Sequence, residues 1–335
     1  MKILHIGNEK SVENYTEQTA FTKSAEIVNA PMGLSDEEYE KLAGDAEVII
    51  TDAIAEISGN LIAKFPNLKL IHSEGVAYNW IDLKAAGKRG IYVCNCAGMN
   101  AAPVAEQTVL LMLAVLRNTV SCDRAVRNGR QMEVKMAYMS AGNLTELADC
   151  RIGLIGFGAI GKAVAKMLQG FGVSVFYTKR HRLTPEEEAE YRVRYLPLEE
   201  LLESCDMISL HVPVTPETTR MCDREFFRKC WKGSYFINTA RGELVEDEAL
   251  REALANGTIA MAGLDTLDDE PVKKEHPILS WPPEILERIV FSPHIGGITG
   301  SSFRRGYRMI WSDIEKIANG QEPDHIVNRK ELDAE

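Results

Sequence analysis

The chain has 335 residues, 45% hydrophobic and 26% charged, which is ordinary globular composition with enough apolar material for two domains. Its 49 acidic against 38 basic side chains give a formal net charge of -11. That balance counts against nucleic acid or an anionic membrane surface as a main partner, because both select a basic footprint.

The opening "MKILHIGNE" reads as a strand and not as a signal peptide, and no apolar run approaches the ~18 residues of a spanning helix. Seven scattered cysteines, an odd number, point to a reducing compartment and not to a disulfide framework, so the cytoplasm is the expected location. Cys94-Asn95-Cys96 has no second cluster to complete a ligand set, and strand alternation accounts for it; no metal site is expected.

Over the first hundred residues, β-rich runs ("KILHI", "AEVIITD", "LKLIHS", "GIYVCN") alternate with helix-like segments such as "SDEEYEKLAGD" and "NLIAKFP". This is the rhythm of a parallel sheet covered by helices. "AAPVAEQTVLLMLAVLR", from residue 101 to 117, predicts a long helix, apolar nearly all round, of the kind buried at a domain junction. A polar, Met-bearing stretch follows, in which Met132, Met136 and Met139 at helical spacing read as packing more readily than as substrate contacts. Strand and helix then alternate again from Arg151 to about residue 293, and "SSFRRGYRMIWSDIEKIANG" closes the chain as an amphipathic helix.

The restart carries a phosphate-binding signature. Strand "RIGLI" runs into Gly156-Phe157-Gly158-Ala159-Ile160-Gly161 and then into helix "KAVAKMLQGFG", with a second strand "VSVFY" behind it. Alone, G-x-G-x-x-G is weak; between a strand and a helix it is strong. Gly156 permits the tight turn, Gly158 lets backbone approach a pyrophosphate, and Gly161 lets helix pack on strand. The N–H groups of Ala159, Ile160 and Gly161 then open toward the phosphates.

After that second strand, an NAD site places Asp or Glu on the adenosine ribose 2′-OH. Here the position is Thr178, followed by Lys179 and Arg180. A 2′-phosphate repels a carboxylate and selects cations, so NADP(H) is the expected cofactor, with NAD(H) possible. Thr178 supplies a hydrogen bond, Lys179 and Arg180 pair with the phosphate, and Arg182 is a weaker candidate.

Three further strands end in polar residues. "YFINTARGELV" presents Arg241, "MAGLDTLDDEP" presents Asp265 and Glu270, and "RIVFSPHIGG" presents His294. Arg, Glu and His form a coherent set for reducing a 2-oxo acid. Arg241 holds the carboxylate and polarises the carbonyl, His294 delivers the proton, and a neighbouring carboxylate favours the protonated ring that such an acid requires.

Taken together, these stretches resemble the D-isomer-specific 2-hydroxyacid dehydrogenases, close to the glyoxylate/hydroxypyruvate reductase branch. The likeness runs from "GVAYNWID" through "VCNCAGMNAAPVAEQTVLLMLAVLR", "GLIGFGAIG", "LHVPVTPETT", "FINTARGELVEDEAL" and "GLDTLDDEP" to "FSPHIGG". It implies an α/β fold of two Rossmann-like or flavodoxin-like domains with parallel sheets and an active site in the interdomain cleft. Residues 1–100 completed by 295–335 would form the substrate domain, 101–294 the inserted dinucleotide domain, and the whole a homodimer. Arg241, Glu270 and His294 fall on the family's catalytic set, and Val76 and Ala77 on its substrate-carboxylate loop. Asp265 falls on the residue that holds the nicotinamide carboxamide, Thr239 and Ala240 line that ring's site, and His294 and Gly296 are further cofactor-binding candidates. His211, Val212, Pro213 and Thr218 match the adenosine side.

The sequence departs from the family pattern at Ala77-Tyr78-Asn79-Trp80, Ala97, Gln131 and Asp149, none of them in the catalytic set. The resemblance implies an NADPH-dependent reductase of small 2-oxo acids that forms D-2-hydroxy acids. Other readings it admits are a nucleotide-sensing, co-repressor-like interaction protein and a 3-phosphoglycerate or phosphite dehydrogenase.

Overall fold

The computed structural model describes residues 1–333. The chain divides into two compact units, Met1–Asn100 with Ile298–Glu335, and Ala101–Gly297. The second unit runs three residues past the expected boundary because the Asp265 carboxylate accepts the backbone N–H groups of Ile295 and Gly296.

The first unit is built on five parallel strands, β1 (Lys2–Ile6), β2 (Glu26–Ala30), β3 (Val48–Thr51), β4 (Leu70–Ser73) and β5 (Tyr92–Cys94), in the order β2-β1-β3-β4-β5. Every residue of β3 and β4 is buried, as expected of parallel strands covered on both faces. Alternation divides their side chains between two cores. Leu4, Ile49 and Ile71 join one cluster, and Ile3, Val48, Ile50 and Leu70 join the other with Tyr307, Ile310, Trp311 and Ile314 of the helix Gly300–Ala318.

A polar clamp lies under that helix. Asp313 Oδ2 accepts from His72 Nε2 at 3.2 Å and from His325 Nδ1 at 2.8 Å, while Oδ1 accepts the Asp324 N–H at 2.8 Å. The His72 and Asp313 side chains are fully buried, and His72 Nδ1 lies 2.9 Å from the Ser73 carbonyl. These three side chains are close enough together to hold a metal ion, but the separations are those of hydrogen bonds sharing one oxygen. They join the returning C-terminal segment to β4.

The second unit contains seven parallel strands: β6 (Arg151–Ile155), β7 (Ser174–Thr178), β8 (Val193–Tyr195), β9 (Met207–Leu210), β10 (Ser234–Asn238), β11 (Ile259–Leu264) and β12 (Ile289–Phe291). Their order is β12-β11-β10-β9-β6-β7-β8, so the winding reverses between β6 and β9. The predicted long helix spans Ala101–Leu116 and buries most of its surface, but Leu110 is exposed.

The methionines depart from their packing expectation. Helix Gln131–Ala141 has no buried residue, and Met132, Met136 and Met139 are more than half exposed within the chain. With Leu110, Val120 and Val126 they contribute to the exposed apolar surface of this unit. No described helix is long and apolar enough to cross a membrane.

Candidate active site

In the second unit a parallel sheet brings the C-terminal ends of its strands to one edge, and nearly all the predicted site residues of this unit lie there. At the end of β6, Gly156 adopts φ +95°, and a Cβ on it would come within 2.3 Å of the His211 carbonyl oxygen. No side chain fits. Gly161 is equally constrained, since its Cβ would lie 2.7 Å from the Gly156 carbonyl oxygen. Gly158, the N-cap of the helix Ala159–Leu168, has nothing within 4 Å of its Cβ direction and makes no side-chain cap bond. Two glycines are therefore set by close packing and the middle one by open space, which is the cradle a pyrophosphate needs at the unpaired first turn of a helix.

Thr178 ends β7, half-buried. Lys179 Nζ makes only a long 3.4 Å bond to the Phe157 carbonyl, and among the described residues neither it nor Arg180 forms an ion pair. Arg182 differs from both. Its guanidinium grips Glu188 with two hydrogen bonds of 2.8 and 3.1 Å and stacks over Tyr195. That commitment leaves it less available to a phosphate than Lys179 and Arg180. After β9, burial pushes the His211 imidazole down to about 4, so the ring is neutral beside Ser209 Oγ. Thr218 Oγ1 donates to the Pro213 carbonyl at 2.7 Å and accepts the Thr215 N–H, which folds the turn after Val212.

The chemical end of the site is carried by three adjacent strands, β10, β11 and β12. Buried Asn238 closes the turn after β10 by donating to the Arg241 carbonyl at 2.7 Å and accepting the Ala240 N–H at 3.0 Å. Thr239 is buried against Thr108, hydroxyl to hydroxyl at 2.8 Å. Arg241 is exposed, and among the described residues its guanidinium donates only to the Ala240 carbonyl. Gly242 explains how its loop reaches the next one: a Cβ there would fall 1.9 Å from the Leu267 carbonyl carbon, so the two backbones cross in direct contact.

Glu270 is held from two sides. Oε1 accepts the Leu267 N–H at 2.8 Å, and Oε2 lies 2.5 Å from His294 Nδ1. Both side chains stay partly open, 31% and 42% exposed, and among the described residues His294 Nε2 has no partner. His294 sits at φ +55°, a strained setting for a side-chain-bearing residue, with its N–H fixed on the Asp265 carbonyl at 2.7 Å. Asp265, almost fully buried, accepts Ser292 Oγ and the Ile295 N–H on Oδ1, and the Gly296 N–H on Oδ2 at 2.8 Å. It organises the loop that aims His294, a role the sequence reading did not assign to it.

In the first unit, Val76 and Ala77 follow β4 in a loop whose carbonyls are all occupied from behind. Cys96 N–H donates to Gly75 O at 2.8 Å, Asn95 Nδ2 to Val76 O at 2.6 Å, and Ser73 Oγ to Ala77 O at 2.7 Å. Among the described residues the N–H groups of Val76 and Ala77 have no acceptor. A loop with its carbonyls drawn back and adjacent N–H groups free suits an anion. The clamping residues Ser73 and Asn95 were not singled out from sequence, although a polar residue directly after an apolar strand was the available signal.

Residues 109–296 match the NAD binding domain of the D-isomer specific 2-hydroxyacid dehydrogenases. A glyoxylate reductase of Thermofilum pendens is 35% identical over 89% of this chain and 86% of its own length. One of Korarchaeum cryptofilum is 34% identical over 85% and 84%. Among solved structures, the NAD complexed form of a D-isomer specific 2-hydroxyacid dehydrogenase from Lactobacillus delbrueckii ssp. bulgaricus superposes with a TM-score of 0.83 at 27% identity, covering 98% of this chain and all of that one.

Proposed function

This chain belongs to the D-isomer specific 2-hydroxyacid dehydrogenases, and we propose that within that family of oxidoreductases it is an NADPH-dependent reductase of small 2-oxo acids, glyoxylate or hydroxypyruvate first. The observation that carries the reading is the His294–Glu270 pair, with one ring nitrogen on the carboxylate and the other free.

Bound nicotinamide supplies the hydride. The residues of this chain do the rest: in the second unit the Arg241 guanidinium would hold the substrate carboxylate and polarise the carbonyl, and in the first unit the free N–H groups of Val76 and Ala77 form the proposed carboxylate loop. His294 Nε2 would give its proton to the carbonyl oxygen, with Glu270 on Nδ1 holding the ring in place. The partly open ring is reprotonated from solvent.

The cofactor is held by the Gly156–Gly161 turn, with His211, Val212, Pro213 and Thr218 on its adenosine side. Thr239, Ala240 and Gly296 would line the nicotinamide site, and Asp265 would hold its carboxamide. Lys179 and Arg180, which form no ion pair among the described residues, would select the 2′-phosphate. Glyoxylate is favoured because the curated relatives carry that name. The exposed Met132, Met136 and Met139 of the helix Gln131–Ala141 would be covered by a second copy, making a homodimer, and the seven unpaired cysteines suit the cytoplasm.

Steady-state oxidation of NADPH and NADH across glyoxylate, hydroxypyruvate, pyruvate and phenylpyruvate tests the assignment. Turnover with NADPH preferred supports it; tight nucleotide binding without turnover redirects it to nucleotide sensing. Light scattering of wild type and Met136→Glu tests the dimer, the variant being expected as a monomer.

A further inference from the structure

Directly before the carboxylate loop stands a carboxylate of the protein's own. Glu74 is nine-tenths buried and two residues from Val76, within about 7 Å along the backbone. A negative charge there opposes the binding of an anion. Glu74 Oε1 is met by His5 Nε2 at 2.9 Å and by the Tyr307 hydroxyl, while the other nitrogen of His5 lies 2.7 Å from Asn29 Oδ1. Both ring nitrogens face oxygen atoms, so both contacts are hydrogen bonds when the ring carries two protons.

We propose that His5 serves as a buried imidazolium that cancels Glu74, so that the loop at Val76 and Ala77 accepts an anionic 2-oxo acid without the opposition of that carboxylate. This rests on the assignment of that loop to the substrate carboxylate. It makes His5 and Glu74 positioning residues that act through charge, without touching the substrate.

The surroundings agree. His5 is the one ion-pair partner of Glu74 among the described residues. Burial by itself lowers the His5 pKa, but the hydrogen bond and charge of Glu74, with smaller help from Asn29 and Asp52, outweigh it and raise the value. Tyr307 and Cys96 also border the carboxylate, and burial first, then Glu74, pushes each upward, so both stay neutral. Among the described residues the one cation that faces Glu74 is therefore His5 on β1, with Asp52 the other carboxylate near the ring.

The experiment is a charge-cancellation series on the holoenzyme: wild type, His5→Gln, Glu74→Gln and the double variant. Two quantities are read, KM and kcat for glyoxylate, and calorimetric binding of oxamate to the NADPH-loaded enzyme. His5→Gln leaves Glu74 uncompensated, and KM and the oxamate Kd are expected to rise about tenfold, as for like charges within ~10 Å at an effective dielectric near 20. kcat and the KM for NADPH should hold. The double variant, with neither charge, should return both constants to within about threefold of wild type.

A double variant no better than His5→Gln overturns the proposal, because a merely structural role would not be rescued by a second substitution. Unchanged anion affinity in His5→Gln overturns it as well. Should His5→Gln not fold, Glu74→Gln decides: affinity equal to or above wild type supports cancellation, and a tenfold loss refutes it. If wild type binds oxamate but reduces none of the oxo acids, the proposed reaction fails while this inference is still read from the binding constants.

Discussion

Histidine faces a carboxylate in both units, with opposite consequences. In the second unit, His294 meets Glu270 at 2.5 Å with both side chains partly exposed and the far nitrogen free. In the first, His72 meets Asp313 at 3.2 Å with both fully buried and every nitrogen and oxygen occupied by protein. The pairing chemistry is nearly the same; access decides the role. A ring with an open nitrogen can pass a proton on, whereas a saturated, buried pair can only hold two segments together.

The comparison breaks most sharply at His294. His294→Gln should lower kcat by roughly 10²–10⁴-fold with NADPH binding retained, since it removes a positioned proton donor. A near-normal kcat in single-turnover reduction would remove His294 from the acid role.

Asp313→Ala is expected to leave kcat of the folded enzyme near normal but to cost roughly 3 kcal/mol of stability in urea unfolding, the usual loss when one partner of a buried pair is removed. Burial raises the Asp313 pKa, but the bonds from His72, the Asp324 N–H and His325 outweigh it, and the net shift is downward. A carboxyl lowered in the folded state stabilises above its unfolded value, near pH ~4, and loses that contribution as pH falls through the folded value. The stability gap between wild type and Asp313→Asn should therefore be wide at neutral pH and close below pH ~4. A gap independent of pH would mean that the clamp works by packing alone.

Lys179→Ala with Arg180→Ala should reduce kcat/KM for NADPH by roughly ten- to a hundredfold, the range for losing charge-assisted bonds to a phosphate, with NADH little affected. Equal loss for both cofactors would overturn the 2′-phosphate assignment. The smallest effect is expected at Asn95. Asn95→Ala frees one carbonyl of the carboxylate loop and should raise KM for the oxo acid about fivefold, the worth of one hydrogen bond, with kcat unchanged. A loss confined to kcat would place Asn95 elsewhere in the reaction.

Much of this was readable along the chain. Gly156, Gly158 and Gly161 declare themselves through spacing between a strand and a helix, and the structure supplies a steric reason for Gly156 and Gly161 and open space beside Gly158. Arg241, Glu270 and His294 follow apolar strands, and a parallel sheet necessarily carries such residues to one edge. Arg182 looked like its basic neighbours and proved to be taken by Glu188, a partner six residues on that no motif marks. The methionines at helical spacing looked like packing and face outward.

Local pattern and spacing by themselves gave away the parallel-sheet rhythm of both units and the glycine turn after β6, and pointed to Arg241, Glu270 and His294 as candidates for the chemistry, because hydrophobic period and glycine placement act over a few residues. Only the tertiary structure decided which charges are compensated. His72 and Asp313 are 241 positions apart, His5 and Glu74 are 69 apart, and Gly242 is shaped by a backbone crossing at Leu267. Burial and long-range contact set whether a histidine beside a carboxylate works as an acid, a clamp or a counter-charge, and neither quantity is a property of a short stretch of chain.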